Sequence, residues 1–255
     1  MNCVVVDIGN TSTAVGLARD GVIGSVCHLH GGLKDKLAIA HVVRGLCGQA
    51  EVAGAALCSV VPAANGVWLT QMRRLLGCRP LVVTHKVELG VRVSYPRPAT
   101  IGADRLANAS GAIARYGAPT IVADFGTAVT FDVIVPRKGY VGGVIAPGLP
   151  LMTDYLYEKT ALLPRIRLRG RFGAVGRSTA EAMRIGAKVG YRGMVREIVT
   201  HLTRGLKLKK VALCGTGGYA KWALEGLDMP FTIDADLTLF GISRIWELNA
   251  GRRDD

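Results

Sequence analysis

A short pattern occurs twice in this chain of 255 residues and constrains its fold more than any other feature. The first copy, VVVDIGNTSTAVG, spans residues 4–16, and the second, IVADFGTAVTFDV, spans residues 121–133. The copies align without a gap, so that Asp7 matches Asp124 and Gly9 matches Gly126. The two copies lie nearly half the chain length apart, and the sequence therefore predicts two related halves.

Each copy combines an apolar run with an Asp-x-Gly turn. The run suits a strand that is buried on both faces, and glycine permits a tight turn after it. Small hydroxyl residues follow, so backbone N–H groups and hydroxyls can approach a phosphate while the carboxylate holds a cation. Two such loops facing each other would bind a nucleoside triphosphate. A single copy is also explained by ordinary turn residues, but the duplication favours the phosphate site.

The order of apolar segments indicates an α/β fold. The segments VVVDIG, AALCSVV, PLVVT, IVADFG and VALCG alternate with helix-like stretches, and a hydrophobic content of 49% is ample for cores. We expect two packed α/β domains with mixed sheets flanked by helices, over residues 1–114 and 115–255. Periodicity predicts helices over residues 34–50, 68–76 and 237–248, and another from Gly102 to about Tyr116.

The sequence also favours a cytoplasmic location. No positively charged segment precedes a signal-type apolar core. The longest uncharged run, Val52 to Met72, contains Pro62 and two glycines, so it predicts a strand, a turn and a helix start rather than a membrane span. The six cysteines occur singly, and we expect reduced thiols.

A formal charge of +13 and a pI near 9.8 invite a nucleic-acid interpretation. The sharpest basic cluster is PRIRLRGRFG, in which four arginines alternate. They are Arg165, Arg167, Arg169 and Arg171. Two interpretations fit this spacing. One is a stripe of arginines that contacts successive phosphates of a nucleic acid, and the other is a solvated edge strand. The edge strand is favoured because no aromatic residues interleave, and we expect no nucleic-acid partner. A basic surface also attracts ATP and an anionic acid.

A second nucleotide-type pattern occurs late in the chain. The segment VALCGTGGYA predicts a strand, then Gly215-x-Gly217-x-x-Ala220, then a helix, which superficially matches a dinucleotide-binding fingerprint. Too little chain follows for a complete βαβ unit with a second half, so this alternative is weaker. The Gly-x-x-x-x-Gly-Lys-[Ser/Thr] pattern of P-loop kinases does not occur in the sequence.

Further motifs narrow the interpretation. They are SVVP at 59–62, IGADRL at 101–106, GGVIAPG at 142–148, GRSTAEAM at 176–183, TGG at 216–218 and DLTLFG at 236–241. With the two Asp-x-Gly loops, this ordered set resembles the type III pantothenate kinases of the acetate and sugar kinase, heat-shock ATPase and actin superfamily. The resemblance implies a duplicated ribonuclease H-like (actin-like ATPase) fold with a central cleft. It also implies ATP-dependent phosphorylation of pantothenate to 4′-phosphopantothenate, the first step of coenzyme A biosynthesis.

The resemblance assigns roles to individual residues. For ATP these are Asp7, Ile8, Gly9, Asn10, Thr11, Ser12, Thr13, Ala14, Thr127 and Gly217. For the acceptor they are Tyr95, Gly102, Ala103, Asp104, Arg105 and Thr179. Asp104 is implied as the general base toward the acceptor hydroxyl, although its position also suits a carboxylate that caps a helix or lies in its first turn. Arg97 stands where the family usually has asparagine.

Cofactors and partners follow from the same resemblance. Mg²⁺ would bind with ATP at Asp7, and K⁺ (or NH₄⁺) at Asp124. GGVIAPG, which composition predicts as a tight loop, would contribute to a homodimer interface. Thr179 would then reach the acceptor of the neighbouring subunit, although Ser178 or Thr179 followed by Glu181 also predicts a helix start. A kinase for another small hydroxylated acid, or a regulatory or nucleic-acid-binding protein that kept the fold, are the alternatives.

Overall fold

The computed structural model describes residues 1–31, 35–168, 170 and 173–251. These residues form two compact units. The first comprises Met1–Ala118, Ile134–Gly142 and Asp236–Asp255, and the second comprises Pro119–Val133 and Gly143–Ala235. The predicted division between residues 114 and 115 stays a prediction.

A mixed five-stranded sheet with the order β3-β2-β1-β4-β5 forms the centre of the first unit. Strand β1 pairs antiparallel with β2 and parallel with β4. Asp20 and Gly21 have positive φ values and form the turn between β2 and β3. The strands are β1 (Asn2–Ile8), β2 (Ser12–Arg19), β3 (Val22–His30), β4 (Gly54–Ser59) and β5 (Leu81–Val82).

Both faces of β1 are buried, as its continuous apolar run predicts. Val4 and Val6 pack into one cluster with Trp68, whereas Val5 packs into another with Trp246 on the opposite face. The helices of this unit are α1 (Lys36–Cys47), α2 (Pro62–Leu76), α3 (Ala103–Tyr116) and, from much later in the chain, α7 (Leu237–Ala250). The predicted helix ends before Gly77 and at Tyr116 are confirmed.

The second sheet repeats the arrangement of the first. Its order is β10-β9-β6-β7-β8, so its five strands, taken in chain order, occupy the same relative places as those of the first sheet. The strands are β6 (Thr120–Phe125), β7 (Ala128–Val135), β8 (Gly139–Pro147), β9 (Ala212–Thr216) and β10 (Phe231–Ile233). The accompanying helices are α4 (Leu149–Lys159), α5 (Thr179–Gly205) and α6 (Ala220–Leu224). The predicted duplication and the mixed sheets are confirmed.

Helix α7 packs closely on α3 within the first unit. A Cβ on Gly241 would overlap the Ala107 carbonyl of α3 and would lie 3.1 Å from the Gly111 nitrogen, so small residues let the two helix backbones touch. At its other end, the Trp246 indole fills the space beside Gly54 of β4. Helix α3, which carries the predicted acceptor motif, thus packs against both the sheet and α7.

Two local predictions differ from the structure. GGVIAPG was expected to form a tight loop, but residues through Pro147 belong to strand β8. The expected edge strand over the arginine cluster is also wrong for the described part, because residues 163–168 form no strand and Arg165 lies 3.8 Å from the Asp154 carboxylate. Arg169 and Arg171 lie outside the described residues. Within the described ranges, no helix has both the length and the apolarity needed to cross a membrane.

Candidate active site

The first predicted phosphate loop is a tight hairpin between β1 and β2. The Gly9 N–H donates to the Ser12 carbonyl at 2.9 Å, and this closes the turn. Asn10, Thr11 and Ser12 are exposed on the loop, whereas Ile8 is buried. Thr13 is fully buried, and its hydroxyl donates to the Gly31 carbonyl at 2.8 Å. The loop therefore presents three polar residues to a ligand, while Thr13 holds its base.

Asp7 lies on the same face of the sheet as helix α3. Side chains alternate along β1, so Asp7 shares a face with Val5, whose cluster includes Leu106 and the partly buried Ala103 of α3. Asp7 is half-buried and pairs with Ala14 on β2. The structure thus brings Asp7, Ala14 and the start of the acceptor helix to one side of one sheet.

Gly102 joins the acceptor motif to the end of the first sheet. It is the N-cap residue of α3, and a Cβ at this position would overlap the Asp104 carboxylate and would lie 3.7 Å from Val60 Cγ1. The Val60 N–H in turn donates to the Ile8 carbonyl at 3.0 Å. The start of α3 and the end of β1 therefore lie close together within the first unit.

Asp104 lies in the first turn of α3 and does not cap it, because Gly102 holds the cap position without a side-chain hydrogen bond. Burial raises the pKa of the Asp104 carboxyl above its usual value, although the Arg105 N–H, which donates to Oδ1 at 2.8 Å, and the Arg105 charge act in the opposite direction. A buried carboxyl with a raised pKa is a candidate general base.

Arg105 and Tyr95 both lie near a third residue, the aromatic Tyr140, which belongs to none of the sequence motifs. The Arg105 guanidinium carbon lies 5.9 Å from the Tyr140 ring centroid, and the Tyr95 and Tyr140 centroids are 6.3 Å apart. Tyr140 is fully buried on β8, and its backbone bonds to Arg92 and Ser94. The only signal available in the sequence was an aromatic residue just before the Gly142 motif.

The second predicted phosphate loop repeats the hairpin of the first. The Gly126 N–H donates to the Ala128 carbonyl at 3.0 Å. Gly217, with φ +88°, packs directly on this loop, since a Cβ there would lie 2.5 Å from Asp124 Oδ1. Gly148 packs against Thr127 so closely that a Cβ would overlap the Thr127 carbonyl. The structure therefore brings Asp124, Thr127 and Gly217 together within the second unit.

Thr179 is exposed at the first position of α5. The residues around Thr179 form the predicted helix start. Ser178 Oγ accepts from the Glu181 N–H at 3.2 Å, and Glu181 Oε2 accepts from the Arg177 N–H at 2.8 Å. Since Ser178 serves as the cap, the Thr179 hydroxyl is not needed for that purpose.

Comparison with known proteins agrees with this geometry. Component A of the (R)-2-hydroxyglutaryl-CoA dehydratase of Acidaminococcus fermentans has a similar fold, with a TM-score of 0.58 and 13% identity over 98% of this chain and 99% of that one. The duplicated five-stranded mixed sheets and this similarity define a protein of the actin-like ATPase fold.

Sequence relatives define the family. The profile of the type III pantothenate kinases matches residues 3–201. A type III pantothenate kinase of Methylacidiphilum infernorum is 38% identical over 98% of this chain and 90% of its own length. Another, from Akkermansia muciniphila, is 47% identical over 74% of this chain and 76% of its own. The chain belongs to the type III pantothenate kinase family, which confirms the prediction of a pantothenate kinase of coenzyme A biosynthesis.

Proposed function

We propose that this chain transfers the γ-phosphoryl group of ATP to the 4′-hydroxyl of pantothenate, with Asp104 as the general base. The observation that carries the assignment is the half-buried Asp104 carboxylate, whose pKa burial raises and which lies in the first turn of α3, on the face of the first sheet that also carries Asp7. Asp104 Oδ1 accepts from the Arg105 N–H. Oδ2 is the atom that receives the hydroxyl proton as the oxygen attacks the γ-phosphorus and ADP leaves.

The acceptor is held by groups around Asp104. The Arg105 guanidinium donates to oxygens of the acid, and the Tyr140 ring keeps that guanidinium in place. Tyr95 forms the neighbouring wall, and it rests on Gly142, where a Cβ would lie 3.2 Å from its ring. Phosphoryl transfer depends on alignment and charge neutralisation more than on strong deprotonation, so these positioning contacts matter as much as the basicity of Asp104.

The two hairpin loops hold ATP and its cations. Asn10, Thr11 and Ser12 bind phosphate oxygens from the first loop, and Thr127 and Gly217 serve the second. A half-buried carboxylate such as Asp7 suits Mg²⁺, which proteins bind through one or two carboxylates together with substrate phosphates. Asp124, half-buried at the end of β6, is the residue for K⁺ or NH₄⁺. These cations supply charge neutralisation beside the phosphates.

The acceptor site is completed by a second copy of the chain, which contributes Thr179. The support is the exposed position of Thr179 and a set of exposed apolar side chains on consecutive elements of the second unit. These are Ile145 on β8, Leu151 and Tyr155 on α4, and Val189 on α5. Burial of this apolar surface in a homodimer would remove it from water.

The activity assay measures ADP release from MgATP with and without pantothenate, in K⁺ and in Na⁺ buffers, for the wild type and for Asp104→Asn. Turnover that requires pantothenate, prefers K⁺ and collapses in the variant supports acceptor, cation and base together. Folded protein that binds ATP but shows no dependence on pantothenate would refute the acceptor. Salt-sensitive binding to unrelated DNA in that case would favour the regulatory alternative instead.

A complementation experiment tests the shared site. Asp104→Asn and Thr179→Ala are each impaired alone, but a mixed dimer has one site with both native residues if the site spans two chains. Random exchange of subunits then restores about a quarter of the wild-type activity, since half of the dimers are mixed and each has one intact site. Mixing that restores no activity, with subunit exchange verified by mass spectrometry, would place both residues in one chain.

A further inference from the structure

A cavity at the far end of α5 is not used by the proposed kinase chemistry. It has a volume of about 320 Å³ and lies within the second unit, between the last turns of α5, the loop that follows and strand β9. Since a helix rises 1.5 Å per residue, Thr200 lies about 30 Å along α5 from Thr179. The lining residues with apolar side chains are Val199, Leu208, Val211, Leu213 and Met229, and those with polar side chains are Thr200, Thr203, Arg204 and Lys210.

The cavity is apolar inside and positively charged at its edge. Val199 and Leu213 are buried in its wall, whereas Arg204 and Lys210 are exposed. Neither cation forms an ion pair with any residue that the structure describes. Thr200 and Thr203 add hydroxyl groups on the helix side. This combination suits a ligand that has an apolar body and one negative group.

The loop that carries Lys210 has an unusual backbone. Lys207 and Lys210 have φ values of 51° and 52°, in the left-handed region that residues other than glycine and asparagine rarely adopt. At Lys207 this conformation simply ends α5, because the N–H groups of Leu208 and Lys207 donate to the Thr203 and Arg204 carbonyls as in a Schellman cap. Lys210, the second residue with a positive φ, lines the cavity.

Cations near the end of a helix often serve only to neutralise its dipole. In α5, however, the last carbonyls already have backbone donors. The Leu202 and Thr203 carbonyls accept from the N–H groups of Leu206 and Leu208, at 3.1 and 2.9 Å, and the Arg204 carbonyl accepts from Lys207 at 3.0 Å. The two cationic side chains are therefore not required to satisfy the helix end.

We infer that this cavity binds a small amphipathic anion, of the class of medium-chain aliphatic carboxylates. Its volume lies at the lower end of the range of about 300–1,000 Å³ that is typical of small-molecule sites. The aliphatic chain lies against Val199, Leu213 and Met229, and the carboxylate meets Arg204 and Lys210. This inference does not depend on the proposed kinase activity.

The test measures binding of octanoate to the full chain by isothermal titration calorimetry, with 1-octanol as the neutral probe of equal length. Octanoate is expected to saturate one site per chain. The double variant Arg204→Ala/Lys210→Ala is expected to bind octanoate at least tenfold more weakly. Met229→Trp, which fills the cavity, is expected to abolish octanoate binding. Octanol binds more weakly than octanoate to the wild type, and equally to the wild type and the double variant.

The matched control is Arg196→Ala/Lys221→Ala, which removes the same charge from exposed positions that do not line the cavity. It should leave the octanoate affinity within about twofold of the wild type. Equal weakening in both double variants would show that overall basicity drives binding. Absence of saturable binding to the wild type at millimolar octanoate, or unchanged affinity in Met229→Trp, would overturn the inference. ATP-dependent turnover, measured separately, reports on the kinase site alone.

Discussion

Gly217→Ala is the substitution that most directly tests the second phosphate loop. A Cβ at this position would lie 2.5 Å from Asp124 Oδ1 and 2.8 Å from the backbone carbon and nitrogen of Phe125. Real Cβ contacts stay above 3.0 Å, so the loop has to retreat by at least about half an ångström. A misplacement of 1 Å at a catalytic site can lower the rate about a hundredfold, so we expect a loss of about ten- to a hundredfold in kcat/KM for MgATP.

The same substitution strains the backbone. Gly217 has φ +88°, and alanine in a left-handed conformation costs roughly 1–2 kcal/mol. In a protein of this size such a cost lowers Tm by about 2–8 °C. The KM for pantothenate should change little, because the residues assigned to pantothenate, apart from Thr179, belong to the other compact unit.

The neighbouring Gly218→Ala is the matched control. A Cβ on Gly218 meets no described atom within 4 Å, and Gly218 is exposed. The assay compares kcat and KM for MgATP over a series of K⁺ concentrations, with Tm from differential scanning fluorimetry. A Gly217→Ala protein that matches Gly218→Ala in both kinetics and Tm would refute the assignment of Gly217 as the residue that shapes the loop around Asp124.

Three further substitutions address the acceptor site and the assembly. Asp104→Asn should lower kcat by about 10²- to 10⁴-fold with little change in the KM for MgATP, as measured by ADP release. Because burial raises the pKa of Asp104, the acidic limb of kcat/KM should lie above the pH range of an ordinary carboxyl and should vanish in the variant. Because the pKa of Asp104 is higher in the folded state than in the unfolded state, ionisation of this carboxyl lowers the free energy of unfolding as the pH rises. Asp104→Asn should therefore not lower Tm at neutral pH. A clear fall in Tm would contradict the argument from burial. Tyr140→Leu removes the ring beside Arg105 and should raise the KM for pantothenate about two- to fivefold, whereas Tyr140→Phe should not; equal KM values in the two variants would rule out the positioning role. If the proposed homodimer forms through α4, Leu151→Asp should convert it to a monomer in light scattering and reduce turnover; a dimer of unchanged mass would exclude α4 from the interface.

Much of the fold could be predicted because its signals are local. The apolar run and the Asp-x-Gly turn define each hairpin within one stretch of chain, and both hairpins formed as expected. The start of α3 at Ala103 follows from Gly102 and the helical spacing after it. The duplication added a long-range constraint, because two equal patterns predict two equal sheets.

The features that were missed depend on contacts between distant segments. Composition suggested a loop for GGVIAPG, because three glycines in seven residues are unusual in a strand. In the structure, Gly142 allows the Tyr95 ring to lie directly on the backbone, and Gly148 allows the backbone of Thr127 to do the same. Tyr140 joins the site through pairing with residues near Tyr95, which no local periodicity can reveal.

The packing of α7 on the first sheet has a consequence for biosynthesis on the ribosome. Leu239 lies 3.3 Å from the position of a Cβ on Gly16, and Trp246 fills the space beside Gly54, yet both side chains come from a helix near the other end of the sequence. A nascent chain that has completed β1 to α3 therefore still exposes the apolar face that α7 will cover. Folding of this unit waits for translation of its last helix, and until then that face is open to chaperones and to premature association with other chains.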